Sequence, residues 1–456
     1  MRSDAPRPQL LLDLSELVRH DARSGVQRAT RGLLHALLAA PPTGWEVRPV
    51  YDAGGYYAYA AIDADADADA DAAADADNHG DPAGGNAGGS AGAAARHDGQ
   101  DGQSGPVGAP AFAHEAGHDA HGAQPARHRR APEGAEVPLR VAAGDIFLGL
   151  DLTFESVARN QAALASLRAH GVRLYFIVYD LIPTRHPEWF VDGVVRAYEH
   201  WLRTIAVLAD GLVAISRATA DDLLDWLAEQ PPTRATPLLV GYAHLGADIA
   251  ASAPSGGIGA DDEAVLACLG GRPTLLMVGT LEPRKMQEQA LEAFERLWAD
   301  GVELNLVIVG KPGWQVEQLA TRLRQHAERG RRLFWLERAS DELLLRLYEQ
   351  SSALLAASRS EGFGLPLIEA ARHGLPVIAR DLPVFREVGG EHAWYFEAHD
   401  GAALAAALRD WLALREAGRA PSSTAMPHLN WDASARQMLA GPLGGPWYRR
   451  APVRLP

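Results

Sequence analysis

Residues 352–380 read SALLAASRSEGFGLPLIEAARHGLPVIAR. The run SALLAAS is apolar, short and closed by turn residues, which predicts a buried strand. LPLIEAARH then has helical spacing, and PVIAR is a second short apolar run. Strand, turn, helix and strand in this order make a βαβ unit, whose two strands lie parallel in one sheet. Between the first strand and the helix sits Arg359-Ser360-Glu361-Gly362-Phe363-Gly364. Gly362 and Gly364 allow positive φ and a close approach of backbone to a ligand. Pro366 suits a first helical turn, where its missing N–H costs nothing. The helix start offers N–H groups and a positive dipole to an anion. Glu361 precedes the turn and Glu369 falls about one turn inside the helix, so two carboxylates flank that anion site. A phosphate with a polyol at each end, as in a nucleotide-sugar, satisfies such a pair. An ordinary helix with a Gly-rich entry and surface glutamates begins in the same way.

The βαβ pattern extends in both directions. Strands are predicted at TLLMVGT (274–280), LNLVIVG (304–310) and RLFWLE (332–337), with helical QEQALEAFERLWAD, QVEQLATRLRQHAE and DELLLRLYEQ between them. Upstream, LLLDLS (10–15), WEVRPVY (45–51), DIFLGL (145–150), RLYFIVYDLI (173–182) and GLVAIS (211–216) alternate with helices such as RATRGLLHALLAA and SVARNQAALASLRAH. The Ser/Gly-rich stretch ASAPSGGIGADD (251–262) separates the halves. The expected fold is α/β: two tandem, Rossmann-like, doubly wound domains facing a central cleft. Their expected bounds are 1–250 and 263–426, with 427–456 as a helix and tail returning to the first domain. Ligands of such sheets bind beyond the carboxyl ends of strands. Hinge closure of the lobes about 251–262 is expected on donor binding.

Residues 60–138 interrupt the first domain. They begin AIDADADADADAAADADNHGD and continue rich in Gly, Ala, His and Pro, with too few large apolar residues to offset the entropy of ordering. A low-complexity, disordered insert is expected. The Asp-Ala repeat offers Asp-x-Asp pairs of the kind that can hold a divalent cation but reads as a solvated low-complexity tract, and His79, His97, His114, His118, His121 and His128 are spaced irregularly and match no defined site, so no metal is expected. The chain has 456 residues, a formal net charge of -15 and one cysteine, Cys268. Seven aspartates between Asp63 and Asp77 supply about half that charge. An acidic chain argues against nucleic acid as a partner. One cysteine excludes an internal disulfide. Asp13 and Glu16 interrupt the early apolar run, and no run is long enough to cross a bilayer. A cytoplasmic location is expected. Arg449, Arg450 and Arg454 read as a thin basic cluster on a solvated tail.

A second element supports the anion site. After the first strand of the second half comes Gly279-Thr-Leu-Glu-Pro-Arg-Lys285. Arg284 and Lys285 are adjacent cations at the carboxyl end of a strand, equivalent in position to the Glu361 turn, and suited to a diphosphate.

With GTLEPRKMQEQALEAF, VIVGKPGW, the run from SDELLLRLYEQ to DLPVFREV, and NWDASARQML, the chain resembles the retaining, GT-B-fold glycosyltransferases of family 4, the group 1 glycosyltransferases. SGVQRATRGLL, VYDLIPTRHPEWF and AISRATADDLL resemble its bacterial surface-polysaccharide and O-antigen mannosyltransferases. The resemblance implies a hexosyl transfer, with mannose from GDP-mannose as the expected donor and no cofactor. The acceptor implied is a glycan or polyprenyl-diphosphate-linked oligosaccharide, which would bring the protein to the inner face of the cytoplasmic membrane. Glu369 would take the ribose hydroxyls, and Glu361 the donor sugar, with backbone N–H groups of Gly362, Phe363 and Gly364. Leu365 and Pro366 would open the helix facing the phosphates. Arg284 and Lys285 would neutralise the diphosphate as it leaves. Gly25 and Arg28 would lie in the glycine loop near donor and acceptor. Asp180 would contact donor or acceptor. Many relatives carry histidine before that aspartate, where this chain has Tyr179; His186 is the alternative histidine. Ser216 and Asp248 match family positions without a derived role. A sugar-nucleotide epimerase of the same fold and a non-catalytic nucleotide-sugar-binding subunit are the rival readings.

Overall fold

A computed structural model describes residues 7–20, 24–60, 137–249, 252 and 254–456. The Asp-Ala repeat and the six histidines of the expected insert lie outside them. In the first half the strands are β1 (Gln9–Asp13), β2 (Glu46–Asp52), β3 (Tyr57–Tyr59), β4 (Ile146–Gly149), β5 (Arg173–Val178), β6 (Gly211–Ala214) and β7 (Leu238–Tyr242). The second half has β8 (Thr274–Val278), β9 (Asn305–Val309), β10 (Leu333–Leu336), β11 (Ala353–Ala356), β12 (Val377–Arg380) and β13 (Trp394–Phe396); β14 (Arg449–Ala451) follows near the C-terminus. The first sheet runs β14-β7-β6-β5-β4-β1-β2-β3 and the second β10-β9-β8-β11-β12-β13. Apart from antiparallel β3 and β14, every pairing is parallel.

Strands β4, β6 and β9 are buried along their whole length. That is why they read as continuous apolar runs, for helices cover both faces of a parallel sheet. In each sheet the chain order reverses beside the first strand of the half. Leu10–Asp13 of β1 pair with both β2 and β4, and β8 pairs with both β9 and β11. These reversals are the switch points where such sheets bind ligands. The two-domain, GT-B-like α/β architecture expected from the sequence is present.

The lobes share buried surface. One apolar cluster runs from Leu10, Leu148 and Ile177 through Trp431 and Phe363 to Leu276 and Leu354. Trp431 opens the helix Trp431–Ala440, which packs on Gly25–Ala39. Its indole lies where a Cβ on Gly32 would come within 2.3 Å, and one on Gly246 within 2.6 Å. The ring N–H donates to the Asp248 carbonyl at 2.8 Å. Trp431→Ala is expected to cost about 3–5 kcal/mol of stability, because two glycine backbones have been shaped around the ring. Urea unfolding measures this, and a loss below about 1 kcal/mol would contradict the packing argument.

The last residues depart from the solvated tail read in the sequence. Arg449–Ala451 pair with Leu238–Val240, and Arg454 exchanges backbone hydrogen bonds with Pro232 and Arg234. The side chains of Arg449 and Arg450 are exposed. The charges are therefore at the surface while the backbone completes a sheet edge. Three basic residues within six positions concealed a strand of three.

Candidate active site

Two loops that follow strands of the second sheet, and one that follows a strand of the first, build the site. After β8, Gly279 takes φ +138°, with its carbonyl where a Cβ on Gly310 would come within 2.1 Å. The chain then forms the single 3₁₀ turn Pro283–Lys285, and Met286 closes it in the left-handed region at φ +59°. This turn aims Arg284 and Lys285 at the loop after β11. Arg284 Nη1 donates to Glu361 at 3.0 Å and to the Ser360 carbonyl at 3.1 Å. Its Nε lies 2.7 Å from Glu282. Lys285 Nζ is 2.5 Å from the other oxygen of Glu361. Glu361 is therefore held by both cations, and its side chain is only 10% exposed. Burial opposes its charge, but Lys285 and Arg284 outweigh burial and bring its pKa down to about 2.

Asp180 comes from the first lobe, beyond the end of β5. Burial raises its pKa, while Arg284 and the Ile182 N–H, 3.0 Å from Oδ1, pull the other way. Glu361 and Glu282 also act on it electrostatically. Gly362 fits against the same stretch: a Cβ there would lie 1.9 Å from the Tyr179 carbonyl. Gly364, at φ +98°, turns the chain into the helix Leu365–Arg372. A Cβ on it would press to 2.8 Å from Phe385, so both glycines are sterically required. Pro366 stands in the first turn of that helix. A hollow lined by Lys285, Ser358, Glu361, Gly364 and Pro366 opens beside the clamp.

Glu369 differs from a surface glutamate. It is 2% exposed, and both oxygens are engaged. Arg28 Nη1 donates to one at 2.8 Å, and the Tyr348 hydroxyl to the other at 2.7 Å. Arg28 reaches across from the helix Gly25–Ala39 and also binds Asp341 at 2.6 Å. Asp341 holds the Ser255 N–H at 2.9 Å, and Glu342 the Gly257 N–H at 2.8 Å. The far part of the inter-lobe segment is thus fastened to the second lobe. Gly25 faces Leu365, whose Cδ1 would be 3.9 Å from a Cβ on it. Gly25, Arg28, Leu365 and Glu369 are therefore neighbours at one end of the lobe junction, and Asp180, Arg284, Lys285 and Glu361 at another.

His186 has partners of its own. Its ring stacks on Trp189 at 4.2 Å between centroids, and Nδ1 lies 3.1 Å from Glu188. The ring of Tyr179 is buried, its hydroxyl donating to the Leu150 carbonyl at 2.8 Å. Asp248 pairs with Arg372 at 3.5 Å. Sequence reading missed Glu282, Asp341, Tyr348, Thr219, His244 and Glu387. Glu387 accepts from His244 at 2.7 Å and from the Arg217 and Ala218 N–H groups at 2.7 and 2.8 Å, so it caps a first-lobe helix from the second lobe. The only available signal was position: Glu282 and Thr219 stand beside residues already singled out. Among the described residues no group of three or more His, Cys, Asp or Glu is placed to hold a metal ion.

Two Rossmann-like lobes whose strand-end loops meet in one junction define a GT-B-like protein. Residues 261–425 match the family described as Glycosyl transferases group 1, and the chain carries a domain of that family. Over 434 residues, 94% of this chain, it is 38% identical to a serotype-specific mannosyltransferase, WbdA, of Escherichia coli. A second E. coli WbdA is 37% identical over the same length. The chain spans less than half of each, 46% and 44% of their lengths. Among solved structures, Anabaena Alr3699/HepE in complex with UDP and glucose aligns over 94% of this chain and 95% of its own, with a TM-score of 0.52 at 14% identity. That likeness concerns the fold.

Proposed function

We propose that the chain is a retaining hexosyltransferase of bacterial surface-polysaccharide synthesis. It would move mannose from GDP-mannose to a glycan or polyprenyl-diphosphate-linked acceptor. The observation that carries this is the Arg284–Lys285–Glu361 clamp at the lobe junction, in a chain 38% identical to a mannosyltransferase. In the proposed reaction the acceptor hydroxyl oxygen bonds to the anomeric carbon. The bond from that carbon to the diphosphate breaks, its electron pair leaves with the diphosphate, and the acceptor proton passes to the departing phosphate oxygen. Arg284 and Lys285 stabilise the charge that develops there. Glu361, ionised at any working pH given a pKa near 2, accepts hydrogen bonds from sugar hydroxyls and keeps the two cations in place. Asp180, whose pKa burial raises, stands on the opposite lobe and is assigned to the sugar or the incoming hydroxyl. Glu369 takes the ribose.

Among the described residues no helix is long and apolar enough to cross a membrane. Calorimetric titration with GDP-mannose, UDP-glucose, GDP and UDP tests the donor. GDP-mannose is expected to bind at least about tenfold tighter than UDP-glucose, a difference of about 1.4 kcal/mol. Tighter UDP-glucose binding would overturn the mannose assignment, and binding of no nucleotide would overturn the donor site.

A further inference from the structure

Ser216 and Thr219 play no part in the reaction just described, yet both reach across the lobe junction to its central loop. Ser216 follows β6 and caps the helix Arg217–Glu229, its Oγ accepting the Thr219 N–H at 3.0 Å. Ser216 is fully buried and Thr219 nearly so. The Ser216 hydroxyl donates to the Gly362 carbonyl at 2.7 Å, and the Thr219 hydroxyl donates to the same oxygen at 3.0 Å. A carbonyl oxygen has two lone pairs and so has room for both donors; the two hydroxyls also lie 3.0 Å from each other, so they and the Gly362 oxygen form one buried triangle. Gly362 is meanwhile pressed onto the Tyr179 carbonyl with no room for a side chain. That strand end is itself fixed, since the Tyr198 hydroxyl donates to the Asp180 carbonyl.

A trans peptide is planar, with its C=O and N–H pointing in opposite directions. Pinning the Gly362 oxygen into the first lobe therefore turns the Phe363 N–H away from that lobe. Phe363 lies between Glu361, gripped by both cations, and Gly364, which opens the helix. We propose that Ser216 and Thr219 are positioning residues for the sugar donor: they hold the Gly362–Phe363 peptide so that the Phe363 N–H presents itself to the bound donor. This rests on the nucleotide-sugar reading above. It makes the donor pocket complete only when both lobes are in contact, because the hydroxyls and the peptide belong to different lobes. It also gives Ser216 a second task beyond its helix cap. Thr219 has no capping task of that kind, so its hydroxyl is the cleaner one to remove.

The test uses the full chain with Thr219→Val, which keeps shape and removes the hydroxyl, Thr219→Ser, which restores it, and Ser216→Ala. Hydrogen exchange of the segment 358–367 is read first, without substrate. Thr219→Val is expected to speed exchange roughly fivefold, and Ser216→Ala with Thr219→Val roughly 30-fold, as suits the loss of one and two hydrogen bonds. Thr219→Ser is expected to exchange like the wild type. With GDP-mannose, Thr219→Val should raise the donor KM by about tenfold, in line with one lost hydrogen bond at the site, while GDP affinity stays within about twofold. A general loss of structure would weaken both together, and that result overturns the proposal. So does unchanged exchange, or a Thr219→Ser variant as impaired as Thr219→Val. If the wild type turns over no nucleotide-sugar, the transferase reading fails on its own, and the exchange rates still decide whether the two hydroxyls anchor the loop.

Discussion

Lys285→Ala is expected to lower kcat by about 100- to 1000-fold, the size of effect that follows when one preorganised group is removed from a developing negative charge. Lys285 gives the cleaner test of the two cations. Arg284 is bound to Glu282, Glu361 and the Ser360 carbonyl, so deleting it strands Glu282, leaves Glu361 with Lys285 alone and loosens the loop itself. Removing Lys285 leaves Glu361 with Arg284. The charge that meets the leaving diphosphate falls, while the frame of the loop remains. Acid titration checks that the intended contact was broken. Glu361 has a folded pKa of about 2 against an ordinary 4.5, so its contribution to stability is present above about pH 4.5. It is lost as the pH falls toward 2 and the carboxylate protonates in the folded state. The shift corresponds to roughly 3 kcal/mol. Without Lys285 the folded pKa rises toward the unfolded value, and the fall in stability between pH 4.5 and 2 becomes shallower. A kcat within about threefold of wild type, with the shallower acid limb present, would remove Lys285 from the leaving-group role.

Legibility in the sequence followed the range of the interactions. Strand β11, the Gly-rich turn and the helix Leu365–Arg372 are contiguous, and each is set by local chemistry: burial on both faces, positive φ at Gly364, Pro366 in a first turn. The Arg284–Lys285 pair was legible by symmetry, as another loop at the carboxyl edge of the same sheet. The strands absent from the sequence reading are β3, β7, β13 and β14. Three of these have only three residues, and β14 is basic. The fourth, LLVGY, carries a Gly241 where a Cβ would come within 3.1 Å of Trp447, so its glycine reflects packing rather than a turn. Partners across the lobe junction were beyond reach for a different reason. Arg28 and Glu369 are 341 positions apart. Nothing in the periodicity of either helix encodes how the two lobes are set against each other. The sequence therefore suggests Glu369 as a ligand group, and only the assembled lobes show that Arg28 and Tyr348 bind it.

That occupation leads to opposite expectations for Arg28 and Glu369. In the proposed site the ribose needs the same carboxylate that Arg28 and Tyr348 now hold. Nucleotide and Arg28 then compete, and Arg28 acts as a latch between the lobes through Glu369 and Asp341. A latch worth about 2 kcal/mol would reduce apparent nucleotide affinity by roughly 30-fold relative to an unlatched protein. Arg28→Ala is therefore expected to bind free GDP up to about tenfold more tightly. Its stability should fall by about 3–5 kcal/mol, because a buried carboxylate loses its charged partner, and sugar transfer should fall with the loss of the closed arrangement. Glu369→Ala should do the reverse to the nucleotide, weakening GDP by about tenfold or more, the loss expected for a charged acceptor on a hydroxyl pair. Titration of both variants with GDP, alongside small-angle scattering without ligand, separates the possibilities. If Arg28→Ala weakens GDP as much as Glu369→Ala does, Arg28 touches the nucleotide and the latch is wrong. A radius of gyration unchanged in Arg28→Ala would leave the competition standing but remove closure from it. In that case the apolar cluster through Trp431 and Phe363, rather than the arginine, holds the lobes together.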